Sequence, residues 1–223
     1  MTKSVKETGH VRDLEETFKL LRTYVMMLNP KKCTCGVRSG KFLGYMIDQQ
    51  GIEENPDKIQ AILQMQSLTT IKDMQKLTGC IAALGRFMSR SADKCLPFFK
   101  VLKRKTPFVW NVEAEKAFQR LKQYLEKLPW MVSLTSNEPL LLYLAVLDYA
   151  MSVVLVVKRN RRQHPVYYVS HLLTEAELRY PLIKKFAYAL LIASRKPCPY
   201  FESHHVTMMT DHPLRSTLEK YGT

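Results

Sequence analysis

The hydrophobic period of this chain changes at Pro129, and that change limits what the chain can fold into. Up to Leu128, outside a strand-like stretch over 33–51, apolar residues recur every three or four positions, the period of helices packed on one face. Beyond Pro129 come the short runs LLLYLAV, MSVVLVV and PVYYVS, each four to seven residues of strand-forming composition. A helical stretch follows over 182–194, then HVTMMTD as a fourth strand and a short helix from Pro213. Three strands joined by hairpins, a crossover helix and a fourth strand predict an α/β sheet domain. The crossover lets the last strand lie parallel to the first. Pro129 and the cluster Thr135-Ser136-Asn137 place the boundary at 128–138.

Ahead of that boundary the pattern is α+β. Leu14, Phe18, Leu21 and Val25 line one face of a helix predicted over 11–27, which Asn29-Pro30 closes. CTCGV and KFLGYMID read as two strands joined by Arg38-Ser39-Gly40, the second ending at Gln50-Gly51. Four helical stretches then follow, over 57–65, 70–89 with a break near Gly85, 92–103 and 112–128.

The 223 residues carry a formal charge of +14, of which residues 1–128 hold +10. Such an excess predicts an anionic partner, nucleic acid foremost. Five scattered cysteines suit a reducing, intracellular compartment, cytoplasmic or nuclear, and Cys33-Thr-Cys35 lacks the spacing and the second pair of a zinc site. No apolar run approaches the ~18 residues that span a bilayer, and MTKSVKETGH has no apolar core after its lysines, so no membrane partner is expected.

The meander, helix and parallel strand make the skeleton of the ribonuclease H fold, which cuts phosphodiesters with two divalent cations. Several converging carboxylates must bridge and flank those cations. Asp211 stands at the end of the fourth strand, but the first-strand centre holds Ala145, and the helix opening Leu182-Ile183-Lys184-Lys185-Phe186 offers cations and a ring. Asp148 lies an odd number of residues past Ala145, which on an alternating strand points it to the other face. Asp148 and Asp211 remain the candidate metal ligands, Glu175 and Glu177 read as helix-start acids, and Asp211 also suits an N-cap.

The runs LNPKKCTCGVRSGKFLGYMIDQQGIEENPDKIQAI, DMQKLTGCIAALGRF, PFVW, AFQRLKQYL, PVYYVSHLLTEAELRYP and TDHPL occur in this order. Together they resemble the later part of a gypsy-type LTR-retrotransposon reverse transcriptase, particularly of plant elements, over about residues 4–220. The resemblance implies the end of the polymerase palm at 1–55, thumb and connecting helices at 56–128, and an RNase H-like, connection-like domain at 129–223. It makes Phe42, Leu43 and Gly44 part of the primer grip, and sets Gln75 and Gly79 along the minor groove of the template–primer. Lys72, Lys76, Arg86 and Arg90 would then meet phosphates. Ala145 and Phe186 stand where the family has acids, and Asp211 is the one matched acid. Some plant elements carry a first RNase H-like domain without acids that behaves as a connection domain, and an intact second one downstream.

With no Tyr-x-Asp-Asp turn in the chain, no DNA synthesis is expected. The parent family uses Mg²⁺, but no cofactor is expected in this chain. The expected role is a reverse-transcriptase segment that binds an RNA/DNA hybrid or DNA duplex, with the rest of its polyprotein as a further partner. One alternative is an active Mg²⁺- or Mn²⁺-dependent ribonuclease H using Asp148, Glu175 or Glu177, and Asp211. The other is a non-catalytic, host-adopted scaffold.

Overall fold

The structure, a computed structural model, describes residues 4, 9–42, 44–48, 51–103 and 108–221. The chain divides into two units, Met1–Gly40 and Lys41–Thr223. In the first, α1 (His10–Thr23) carries Asp13 in its first turn and Arg22 in its last, each matched to the helix dipole. It stops four residues short of the predicted end, and Val25 takes φ +53°. None of its residues is buried. The predicted strand CTCGV does not form. Asn29 caps a single 3-10 turn at Pro30–Lys32, and Gly36 then adopts φ +71°, outside the extended region a strand needs.

The second predicted strand, KFLGYMID, is divided. β1 (Gly40–Phe42) and β2 (Tyr45–Ile47) flank Gly44, whose φ of +83° turns the chain back. β3 (Gly51–Glu54) pairs antiparallel with β2, Tyr45 opposite Glu54. The segment after Pro129 then returns as β4 (Met131–Val132) to complete a four-stranded sheet ordered β1-β2-β3-β4. Gly51 faces Val132 in that pairing, and a Cβ on it would overlap the Met131 carbonyl, so only glycine fits.

The helical region follows the predicted order. α2 (Pro56–Leu63) is capped by Asn55 with Pro56 in its first turn, and α3 (Ile71–Leu84) by a Thr70/Asp73 capping box. The predicted stretch 92–103 splits into α4 (Ser91–Lys94) and α5 (Leu96–Lys103), because Pro97 has no N–H with which to continue the first helix. Asn111 caps α6 (Val112–Leu125). Ile62, Met74, Leu77, Ile81, Leu84, Phe98, Phe118, Leu121 and Leu125 interlock as one core. Burial within it pushes the Cys95 thiol up to about 12, which keeps that cysteine an inert apolar filler.

The second sheet is ordered β7-β6-β5-β8. β5 (Leu140–Val146), β6 (Ala150–Arg159) and β7 (Arg162–Leu172) form the predicted meander. β8 (Val206–Met209) lies parallel to β5, Leu140 opposite Val206 and Tyr143 opposite Met209. The register slips between Leu155 and Val156, beside Pro165, which cannot donate to the ladder. α7 (Glu175–Leu178) opens on a Thr174/Glu177 capping box, the helix-start role expected of its acids. The crossover α8 (Leu182–Arg195) sets Ala189 and Ala193 on Leu140, Leu142, Val153, Leu155 and Val157. α9 (Cys198–Ser203) precedes β8, and α10 (Leu214–Tyr221) follows it.

Arg159 fastens the linker to this sheet, donating to both oxygens of Glu138 at 2.6 and 2.7 Å and to the Ser133 carbonyl at 2.8 Å. The Arg159 hydrogen bonds, assisted by Thr135, hold the Glu138 carboxyl at about 2 against the opposing effect of burial. A carboxyl depressed on folding stabilises the fold above its unfolded value, about 4.3, and loses that contribution as pH falls towards 2. The melting temperature is expected to fall across that window, with Glu138 contributing ~1–2 kcal/mol after solvent screening. Glu138→Gln should flatten the fall when thermal melts are recorded between pH 5 and pH 2.

Candidate nucleic-acid interface and the acid positions of the sheet

α3 presents two faces of opposite character. Met74, Leu77, Ile81 and Leu84 are buried in the helical core. Lys72, Gln75, Lys76 and Gly79, spaced i, i+3, i+4 and i+7, are all exposed on the other side. Among the described residues neither lysine forms an ion pair. A glycine inside a helix costs about 1 kcal/mol against alanine, and close packing of another helix would explain it. That explanation fails here, because a Cβ at Gly79 would meet nothing within 4 Å. The stripe is a smooth, cationic, amide-bearing surface open to a partner.

At the β1–β2 turn Phe42 is 42% exposed, and Gly44 provides the left-handed residue. Leu43 lies outside the described residues. The turn rests on Lys58, whose Nζ would lie 3.4 Å from a Cβ at Gly44. The same ammonium pairs with the buried Glu54 at 2.7 Å and stands 5.5 Å from the Tyr45 ring centre. A buried carboxylate thus fixes the cation beneath the turn.

Arg86 is placed apart from the α3 stripe. Its guanidinium stands 4.8 Å from the Tyr167 ring, 5.9 Å from those of Tyr45 and Tyr200, and donates to the Tyr200 hydroxyl at 2.5 Å. Its carbonyl accepts from Tyr168 N at 3.0 Å. Arg86, expected as a phosphate contact, joins the helical region to the second sheet. Arg90 is likewise engaged, on Asp93 at 2.6 Å, and Tyr149 donates its hydroxyl to the same carboxylate. Ala92 N donates to Ser170 Oγ at 3.0 Å. Arg86, Ala92, Tyr167, Tyr168 and Ser170 line a cleft of about 590 Å³ between α3, α4 and β7. Sequence reading missed this seam because its partners lie up to 114 positions apart. The hint available was a tyrosine-rich β7.

Two of the three acid positions expected in the second sheet hold other chemistry, and the third holds Asp211. Ala145 is exposed near the end of β5, and Asp148 lies exposed in the bend before β6. Lys185, 8% exposed, donates to the Asp148 carbonyl at 3.1 Å. The cation that would repel a metal therefore ties the crossover helix to the β5–β6 bend. Phe186, 6% exposed, sets its ring 4.2 Å from that of His212. Asp211 is exposed after β8, and α10 begins only at Leu214, so Asp211 sits outside the capping position expected for it.

Glu177 is committed elsewhere, accepting from Thr174 N at 2.7 Å and lying 3.1 Å from His171 Nε2. Although burial raises its carboxyl, hydrogen bonds from Tyr188, Thr174 and His171 prevail and hold it at about 2. Among the described residues no group of three or more His, Cys, Asp or Glu could hold a metal. A methyl group, an ammonium and a phenyl ring are not ligands, and the residues at these places do not fit a pair of divalent cations.

Residues 110–208 match the model of the RNase H-like domain found in reverse transcriptase. The Tf2-3 and Tf2-4 transposon polyproteins of Schizosaccharomyces pombe are 24% identical over 212 residues, 94% of this chain. The chain spans 16% of the length of these relatives. Among solved structures, a foamy viral protease-reverse transcriptase in complex with dsDNA superposes with a TM-score of 0.75 at 20% identity, over 99% of this chain and 46% of that one. The same enzyme in complex with an RNA/DNA hybrid gives 0.74 at 18% identity, over 100% of this chain and 30% of that one.

The cage around Arg86 makes it the residue whose loss should loosen the seam. Arg86→Ala is expected to lower stability by about 1–3 kcal/mol in urea titration. It should also speed amide exchange at Tyr168 without altering exchange within α6.

Residues 110–208 are thus similar in sequence to the RNase H-like domain found in reverse transcriptase, and the chain is similar in fold to the foamy viral enzyme.

Proposed function

We propose that the chain is a segment of a gypsy-type LTR-retrotransposon reverse transcriptase, of the group whose plant members its motifs resemble. Its proposed work is to hold an RNA/DNA hybrid or DNA duplex on α3 and the β1–β2 turn as part of a longer polyprotein. The observation that carries this reading is the α3 stripe, in which two lysines without an ion pair among the described residues, and a glutamine, flank a glycine with open space above it. Lysines meet phosphates by charge alone, and a missing side chain lets a sugar–phosphate backbone come close. The net charge of +14 supplies the long-range attraction. The chain's five free cysteines suit a reducing intracellular compartment.

The RNase H-like domain acts, in this reading, as a connection between helical region and sheet rather than as a nuclease. Ala145, Lys185 and Phe186 support that role, since they put packing and tethering where a nuclease needs ligands.

Binding is expected to be sequence-independent and to weaken steeply with salt. Lys72→Glu with Lys76→Glu should reduce the log–log salt slope by about two in anisotropy titrations of a fluorescent hybrid. Unchanged binding in this variant contradicts the α3 interface. Gly79→Ala separates fold from function: the helix should gain about 1 kcal/mol while duplex binding weakens. For the connection role, no Mg²⁺- or Mn²⁺-dependent cutting of an RNA/DNA hybrid is expected. Cutting that Asp211→Asn abolishes would establish a nuclease instead.

A further inference from the structure

The hairpin between β6 and β7 ends in a two-residue loop, Asn160-Arg161, closed by the pair Arg159 and Arg162. Asn160 has φ +49° and Arg161 φ +63°, the backbone of a type I′ turn, whose second residue is usually glycine. An arginine is therefore carried here in a conformation that disfavours it. Lys158, Arg161 and Arg162 are exposed, and among the described residues none of the three forms an ion pair. Like charges face one another across the hairpin at Arg159 and Arg162, a destabilising arrangement. Glu138 neutralises Arg159 alone, at 2.6 Å, and so anchors the base while leaving the tip charged.

The tip is presented on a firm support, since Gln163 donates to the Tyr143 hydroxyl at 2.7 Å and the strand ladder runs unbroken from Val157 to the loop. It lies at the Leu140 end of β5, the end of the sheet opposite Asp148. The stretch KRNRRQH has no apolar side chain, so it offers no anchor for a lipid surface, which needs buried apolar area beside its cations. A polyanion that demands charge and no apolar contact, the phosphodiester backbone, is the partner this chemistry fits.

We propose that Lys158, Arg161 and Arg162 at the β6–β7 tip form a second phosphate-backbone contact, separate from α3, for the nucleic-acid duplex held by this chain. This rests on the duplex-binding reading. The tip binds without reading sequence and keeps the duplex on the RNase H-like domain by counterion release.

The test is the salt dependence of hybrid binding by the full chain, as wild type, as Lys158→Gln/Arg161→Gln/Arg162→Gln, and as Arg161→Gly. The triple variant should lower the log–log slope by about one for each cation that meets a phosphate. Arg161→Gly relaxes the turn, so it should raise the melting temperature while lowering the slope by about one, which separates binding from folding. An unaltered slope in both variants, with wild type bound, overturns the tip and leaves the α3 interface standing. Wild-type protein that shows no salt-dependent binding removes the duplex reading and the tip together. Weaker capture by phosphatidylserine vesicles in the triple variant, with hybrid affinity unchanged, overturns the proposal in favour of a membrane surface.

Discussion

Arg86 sits just past the end of α3, and its two polar ends bind the helical region to the second sheet. The carbonyl takes the Tyr168 amide, and the guanidinium lies among Tyr45, Tyr167 and Tyr200. A guanidinium is weakly hydrated and flat, so it can be held against rings at small desolvation cost where an ammonium could not. With Ala92 on Ser170 and Tyr149 on Asp93, the seam orients the end of α3 against β7. The rest of α3 is oriented by its own buried residues, and its cationic stripe is what remains outward. Because Tyr45 belongs to β2 and shares the cage, the turn bearing Phe42 and Gly44 is referred to the same anchor.

Under the proposed connection role, the second sheet uses packing where a nuclease needs ligands. Where the fold can converge carboxylates, the crossover helix brings Lys185 to a carbonyl and Phe186 to an imidazole. Both interactions join α8 to the ends of strands, work that a metal pair and its acids would otherwise share. Burying a charged ammonium needs a partner, and the Asp148 carbonyl supplies one. The opening of α8 thereby becomes a strut between the β5–β6 bend and the end of β8.

Much of this was legible in the sequence, for reasons that differ by element. The strand-forming composition of β5 and β6 and the three-to-four-residue apolar spacing of the helices act locally, so they alone placed sheet and helices. The exposed positions of the α3 stripe follow from helical period once Met74 and Leu77 are assigned to the core. CTCGV misled because strand composition was outweighed by a left-handed glycine at Gly36. In KFLGYMID the interior glycine was itself the signal of a turn, since a strand rarely keeps one without a bend or close approach. Arg86 read as a phosphate contact, and Lys185 as a cation standing where a metal ligand is needed. Their actual roles depend on tyrosines and a carbonyl brought near only by the folded sheet, which no local pattern records.

The central claim is that a duplex lies along α3. Differential labelling of lysine amines, with and without a saturating RNA/DNA hybrid, tests it directly. The account predicts strong protection of Lys72 and Lys76, with Lys184 at the opening of α8 labelled equally in both states. Equal labelling of Lys72 and Lys76 while the hybrid is demonstrably bound would contradict it.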